Sequence, residues 1–305
     1  MTEDARWPRA AVWLAQSSQL NKTAVATGVA DLDLAVVGIP AHLTSISKTG
    51  ANLTPTAIRA ALQRYSTWSW EHATEIGNLR VFDFGDSTDP DSPEGEARSI
   101  KLVAEASGQA KLTVVLGGDN SVTYAATHGL AADLRRTALI TFDAHHDLRD
   151  GISNGSPVRR LIEAGLPGDQ VVQIGIADFS NSPEYAGRAR DYGVRVIPRS
   201  ALREQKPSEI WKSALAALPE VDQIFVDIDV DVCDRSVVPA CPAAAPGGLS
   251  ADELRQFAYL IGAEPLVRAF DITEIDASND APDARTVRLA ALLILEAAAG
   301  LVSRP

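Results

Sequence analysis

The chain has 305 residues, 46% of them apolar and 22% charged, with a formal net charge of −12. This is enough chain for one large α/β domain or two smaller ones, and the negative excess argues against nucleic acid or an anionic membrane as partner. No apolar run approaches membrane-spanning length, and Met1–Trp7 has no basic start followed by an apolar stretch. Only Cys233 and Cys241 are present, without C-x-x-C spacing, which fits a reducing, cytoplasmic setting and two buried or semi-buried thiols.

In chain order, short runs rich in Val and Ile alternate with amphipathic stretches. The pattern predicts strand Leu32–Pro40 then helix Pro55–Tyr65, strand Leu79–Phe84 then helix Glu94–Gly108, and strand Leu112–Gly117 then helix Ser121–Leu130. Strand Ala138–Asp143 leads to helix Pro157–Ala164, strand Val171–Ile176 to helix Pro183–Tyr192, and strand Val194–Ile197 to helix Pro207–Leu218. Strand Gln223–Asp229 precedes helix Ala251–Ile261, and strand Val267–Ile272 precedes helix Ala284–Ala299. Eight strands in strict alternation with helices mean a parallel sheet covered on both faces. Several helices begin with proline, and Ser250-Ala251-Asp252-Glu253 has capping-box spacing, so the boundaries have mechanical support. Asp86–Gly95 reads as a loop too short to separate domains, so one domain over residues 1–305 is expected.

Two acidic clusters stand behind two of these strands. One is Asp143-Ala144-His145-His146-Asp147-Leu148-Arg149-Asp150; the other is Asp227-Ile228-Asp229-Val230-Asp231-Val232-Cys233-Asp234. Carboxylates packed this densely at core strand ends repel one another and lose hydration, so a positive charge is needed among them. In an extended segment Asp143, His145 and Asp147 share one side, as do Asp227, Asp229 and Asp231. Mostly oxygen donors with a single imidazole suit Mn²⁺ better than zinc. The plain alternative is a set of solvated turn residues. Gly117-Gly118-Asp119-Asn120-Ser121 follows another strand, where its glycines permit a tight turn with unusual φ. Open parallel sheets place ligands at these carboxyl ends.

Together these stretches resemble the ureohydrolase (arginase, agmatinase, formimidoylglutamase) family from about Ala35 to Ala299. The family's G-G-D-H-S, D-A-H-x-D and S-x-D-x-D signatures correspond here to Gly117–Ser121, Asp143–Asp147 and Asp227–Asp231, the last continuing to Pro246-Gly247-Gly248. Further matches are Gly50-Ala51 before Pro55–Arg59, Asp83-Phe84-Gly85-Asp86, and Asp271-Ile272-Thr273-Glu274-Ile275-Asp276 before Thr286. The resemblance implies a three-layer α/β/α arginase-like fold and two Mn²⁺ ions sharing a hydroxide that attacks an amidine or guanidine carbon. It implies one ion on Asp143, His145, Asp229 and Asp231, with Asp143 and Asp229 bridging to a second on Asp147 and Asn120. Asp147 is then the proton shuttle and Glu274 the carboxylate facing the cationic amidinium, against the plainer reading of Glu274 as a salt-bridge residue.

Departures narrow the branch. Arginases and agmatinases carry a histidine in the loop after D-A-H-x-D, whereas Asn154-Gly155-Ser156-Pro157-Val158-Arg159 is similar to the S-G-T-P-F-R of formimidoylglutamases, as is Asp147-Leu148-Arg149. Arg149, Asn154, Ser156 and Lys48 become candidates for substrate contact, with His42 beside Lys48 in its loop; a guanidinium forks onto a carboxylate as lysine cannot. The alternative for Arg149 is a salt bridge to Asp150. Asn120 stands where the family usually has a metal-binding histidine, and an amide oxygen is a weaker donor, so the second ion is expected to be weakly held. Asn is found at this position in part of the formimidoylglutamase branch.

The expected activity is hydrolysis of a linear amidine, N-formimidoyl-L-glutamate to L-glutamate and formamide. A guanidino acid such as guanidinobutyrate is the alternative substrate, and a silent binding protein or subunit the alternative class. The resemblance also implies a homo-oligomer, trimer or hexamer. His146 should face away from the metals, His42, His72 and His128 read as surface or structurally hydrogen-bonded residues, and Trp7, Trp13 and Trp68 as packing or interface residues.

Overall fold

The computed structural model describes residues 7–305; the expectation drawn from Met1–Arg6 lies outside them. The Val- and Ile-rich runs form β1 (Leu32–Ile39), β4 (Val81–Asp86), β5 (Ala110–Gly117), β6 (Thr137–Phe142), β7 (Val171–Ile176), β8 (Arg195–Pro198), β9 (Gln223–Asp229) and β10 (Val267–Thr273). Between β1 and β4 a short antiparallel ladder joins β2 (Trp68–Ser69) to β3 (Thr74–Glu75), which the alternation of apolar runs did not predict. The eight longer strands make one parallel sheet in the order β4-β1-β5-β10-β9-β6-β7-β8.

The helices are α1 (Ala10–Ala26), α2 (Thr54–Ala61), α3 (Pro93–Ser107), α4 (Val122–Leu130), α5 (Pro157–Glu163), α6 (Pro183–Tyr192), α7 (Pro207–Ala217), α8 (Ala251–Ala263) and α9 (Arg285–Val302). Proline occupies the first turn of α2, α3, α5, α6 and α7, where no intrahelical N–H is required. At α8 the Glu253 amide donates to Ser250 Oγ at 3.1 Å and the Ser250 amide to Glu253 Oε2 at 2.7 Å, closing the capping box its spacing predicts.

Because neighbouring residues of a strand face opposite ways, each register row belongs to one face. Ile140, Val226 and Phe270 sit side by side under α7, α8 and α9, packed with Trp211, Phe257 and Ile294. Leu139, Phe225 and Ala269 form the next row on the opposite face, under Val103, Ala126, Val158 and Leu161 of α3 to α5. Fully burying one such side chain is worth roughly 1.5–3 kcal/mol. On this second face the apolar rows stop abruptly. The row after Leu139 and Phe225 is Thr141, Asp227 and Asp271, all fully buried, and the one after that brings Asp229 beside Thr273.

Helix α1 lies beyond the predicted set. It lacks a side-chain N-cap and packs Ala10, Trp13, Leu14 and Ser17 inward. Its serines close the sheet edge: Val81 N–H donates to Ser17 Oγ at 2.7 Å and Asp83 N–H to Ser18 Oγ at 3.0 Å. Those N–H groups belong to β4, an edge strand whose free donors would otherwise invite pairing with another chain. No helix among the described residues is long and apolar enough to cross a membrane.

Candidate metal centre and active site

The carboxyl ends of β5, β10, β9 and β6, adjacent at the middle of the sheet, converge on a cleft of about 320 Å³. Its floor is acidic. Asp143 and Asp231 hold His145 between them, with Nδ1 2.8 Å from Asp231 Oδ2 and 3.5 Å from Asp143 Oδ1, and one donor atom from each of the three falls within 4.8 Å of the others. The turns that aim these groups are built from their own carboxylates. Asp143 Oδ1 accepts from His145 N–H at 2.6 Å, Asp229 Oδ1 from Asp231 N–H at 2.9 Å, and Asp231 Oδ1 from Ala144 N–H at 3.0 Å. Asn181 fastens the same loop, accepting from His146 N–H and donating to Ala144 O.

Asp147 and Glu274 both adopt left-handed backbone, with φ of 55° and 63°. Such geometry is unfavourable for glutamate and is kept where the surroundings impose it, commonly at working sites. Glu274 Oε1 accepts from Asn120 N–H at 2.8 Å and from Asn154 Nδ2 at 2.9 Å, while Asn120 Nδ2 donates to Asp147 Oδ2 at 2.6 Å. The glycines before Asn120 are there for space rather than for φ, which is not left-handed at either. A Cβ on Gly118 would lie 1.8 Å from Ala41 O, and one on Gly117 would lie 2.7 Å from Thr273 Cγ2.

Burial governs the protonation of this cluster. It drives Asp147 up to about 7 and, with the charge of Asp119, Glu274 up to about 8. Burial and mutual repulsion hold Asp143 and Asp229 well above the ordinary carboxylate range. Burial works against a charged His145, but the Asp231 hydrogen bond and the surrounding carboxylates outweigh it and raise the imidazole to about 9. Asp143 Oδ2 is buried without any hydrogen-bond partner among the described residues. An unpartnered carboxylate oxygen in a crowded, oxygen-rich set with one imidazole fits a divalent cation of the Mn²⁺ type.

Of the proposed substrate contacts, Arg149 lies at the cleft mouth and its guanidinium has no protein acceptor among the described residues. The salt bridge to Asp150 does not form; that carboxylate binds Arg188 at 2.7 Å instead. Asn154 lines the cleft but both ends of its amide are spent, the oxygen on Ile46 N–H at 3.1 Å and the nitrogen on Glu274. Ser156 serves the loop instead of the cleft. Fully buried and outside the cleft lining, it bonds Ser153 through both N–H and carbonyl. Lys48 is exposed and also outside the lining, and His42 pairs with Asp91 at 3.3 Å. Motif position puts these residues in the right loops; it does not reveal which way a short loop turns each side chain. His146 is turned to Gln173, at 2.7 Å, His72 stacks on Tyr259, and His128 packs edge-on to Tyr124. Both cysteines are buried free thiols, and burial pushes their pKa up.

Thr123 lies outside the expected site, although its hydroxyl reaches both Asn120 and Asp271 at 2.9 Å. A threonine three residues past Asn120 in a helical pattern carries no sequence signal of its own. Tyr185 of α6, at the cleft mouth, is likewise unmarked in the sequence.

The sequence profile of the arginase family matches residues 32–300. This chain belongs to the arginase family. It is 37% identical over 270 residues to a formimidoylglutamase of Halalkalibacterium halodurans, covering 85% of this chain and 84% of that protein. A formimidoylglutamase of Bacillus subtilis is 34% identical over 281 residues, 89% of this chain and 88% of the other. The crystal structure of formimidoylglutamase from Bacillus subtilis superposes with a TM-score of 0.88 and 31% identity, covering 100% of this chain and 95% of that one. That of Trypanosoma cruzi formiminoglutamase with Mn²⁺ gives 0.86 at 25% identity, over 98% and 100%. The family member described here therefore has the three-layer α/β/α arginase-like fold.

Proposed function

We propose that this chain is a metal-dependent hydrolase of N-formimidoyl-L-glutamate, releasing L-glutamate and formamide. The observation that carries the reading is Arg149: in an acid-lined cleft, the guanidinium at the mouth has no carboxylate partner among the described residues, which leaves it for the carboxylate of an anionic substrate. Proteins named formimidoylglutamase among the relatives support it.

Asp143, His145, Asp229 and Asp231 would hold one Mn²⁺, and Asp147 with Asn120 would complete a second site. When bound, the ions supply the positive charge that makes a water nucleophilic near neutral pH. Glu274, fixed by Asn120 and Asn154, receives the amidinium N–H groups and orients the formimidoyl carbon over the acidic floor. Arg149 binds a carboxylate at the other end of the substrate. Water oxygen adds to the formimidoyl carbon, the bond from that carbon to the glutamate nitrogen breaks, and the nitrogen takes a proton. Asp147 would carry that proton from the water to the departing amine.

We further propose a single domain acting in the cytoplasm as a homo-oligomer; exposed Trp68 and Trp70 supply apolar surface for a contact between copies. The deciding assay supplies Mn²⁺ and measures formamide and glutamate from formimidoylglutamate against urea from guanidinobutyrate and agmatine. Urea release with no formamide would move the chain to the guanidino-acid class, and no turnover of any substrate would make it a binding protein.

A further inference from the structure

We propose that Arg159 is a positioning residue for substrate recognition: its guanidinium straps the loop Arg149–Gly151, so that Arg149 stands ready at the cleft mouth before a carboxylate arrives. The inference rests on the reading of Arg149 as the carboxylate anchor and adds what holds that anchor in place.

Arg149 sits in irregular backbone between β6 and α5, and such backbone is costly to order. With the Arg149 side chain kept for a ligand, the loop has to be held through its carbonyls. Asp147 O accepts from Arg159 N–H at 3.2 Å, Leu148 O from Arg188 Nη1 at 3.1 Å and Arg149 O from Arg159 Nε at 2.6 Å, while Gly151 O accepts from Arg159 Nη2. The Arg149 N–H closes the loop by donating to Gly155 O at 3.0 Å. One guanidinium thus spans two carbonyls on either side of Asp150.

The place of Arg159 in the fold explains its reach. It is the third residue of α5, and helical side chains lean toward the helix N-terminus, so it extends past the end of α5 over the chain that leads into it. Its side chain is 11% exposed and lies outside the cleft lining, with Nε and Nη2 on the loop and Nη1 on Glu163. Every nitrogen is engaged by protein, so Arg159 acts through Arg149 and not on the ligand. A lysine ammonium is a single point of charge and cannot fork onto both carbonyls. The Glu163 carboxylate is more than half exposed, so its pairing with Arg159 contributes little.

A loop already held in its bound shape takes a ligand without a further ordering cost. Arg159→Lys should therefore lower kcat/KM on formimidoylglutamate by roughly three- to tenfold, the loss expected when a flexible side chain has to be immobilised on binding. The loss should appear in KM, because the backbone bond from Arg159 N–H to Asp147 O survives the change and kcat stays near the parent's. In an Arg149→Ala background the same substitution should cost nothing further. Glu163→Gln leaves both carbonyl bonds in place and should behave as the parent. Hydrogen exchange on the Mn²⁺-loaded protein without substrate gives a measure independent of turnover. The Arg149 amide should exchange roughly tenfold faster in Arg159→Lys, the effect of losing a buried hydrogen bond, while the amides of β6 keep their parental rates.

An unchanged KM, a fall in kcat as large as that in kcat/KM, a full further loss in the Arg149→Ala background, or unchanged exchange at Arg149 overturns the proposal. If Arg159→Lys does not fold, the parent answers alone: an Arg149 amide that exchanges at the rate of free peptide overturns the strap. Failure to hydrolyse formimidoylglutamate would overturn the substrate assignment, and the exchange measurement would still decide whether Arg159 holds the loop.

Discussion

Gly155→Ala is expected to impair this protein through Arg149 alone. The arginine stem lies across the glycine: a Cβ there would stand 2.6 Å from Arg149 Cδ and 3.0 Å from Nε, closer than real contacts allow. Gly155 is not in the left-handed region, so alanine brings no backbone strain, and the flexible side chain is what must move. A displaced guanidinium loses a bidentate, charge-assisted contact worth on the order of 1.5–3 kcal/mol. That is about ten- to a hundredfold in kcat/KM, seen chiefly as a raised KM, because carboxylate binding at a distance from the reacting carbon is the same in ground and transition states. Arg149→Lys should lose a similar amount. Steady-state formamide release from formimidoylglutamate measures all of these variants. In an Arg149→Ala background, Gly155→Ala should add nothing; an equal loss there, or parental kinetics in Arg149→Lys, refutes the assignment of Arg149 to the substrate carboxylate.

Metal occupancy should be unequal, with the site of Asp143, His145, Asp229 and Asp231 filling first; two ions equally retained after dialysis against a weak chelator would contradict this. Asp147→Asn should abolish turnover, since losing a proton-transfer group alone costs about 10²–10⁴-fold, whereas Asp150→Asn, which releases only Arg188, should change the rate little. Metal-free protein should be most stable near about pH 5 and weaken as pH rises. Asp147 and Glu274 keep protons in the fold, to about 7 and about 8, that the unfolded chain has already released, so their favourable contribution is lost as pH climbs through those values. His145, raised to about 9, acts in the same direction, and chelated samples melted across this range with a flat or rising midpoint would exclude it. Ser17→Ala should lower stability by about 1–2 kcal/mol in denaturant titration by orphaning the Val81 N–H, and an unchanged midpoint would show that water replaces the hydroxyl.

The parallel sheet was legible because its strands are buried on both faces and read as continuous apolar runs, and because each return crossing is long enough for a helix. Boundaries moved where partners decide them. β5 begins at Ala110 because Leu32 pairs there, two residues before the apolar run predicts, and β4 begins at Val81 because the Ile76–Asn78 turn occupies the chain just before it. Helix α1 escaped for the opposite reason. Its inward residues include Ser17, a polar group buried only because β4 offers it an N–H, and its N-cap, Arg9, supplies no side-chain cap. A pattern of apolar residues cannot register a helix whose docking is partly a hydrogen-bonding matter.

The same division runs through the site. Alternation along a strand assigns Asp143 and Asp229 to one face, and it also assigns Thr141, Asp227 and Asp271 there, one row deeper. Periodicity alone cannot say which row meets the cleft and which is buried under it. Asp227, part of the dense acidic run, turns out to have both carboxylate oxygens buried without hydrogen-bond partners among the described residues, and burial with the neighbouring charge of Asp271 holds its pKa well above the ordinary range. It therefore lies beneath the cleft floor, fully buried and outside the cleft lining. Asn154 makes the complementary point: it lies in the loop the motif marks, yet its amide is consumed in tying Ile46 to Glu274. What sequence spacing fixes is the element and the face. Whether a polar side chain is free for a ligand depends on which protein groups have already claimed its donors and acceptors, and in this cleft that separates Arg149 from Asn154.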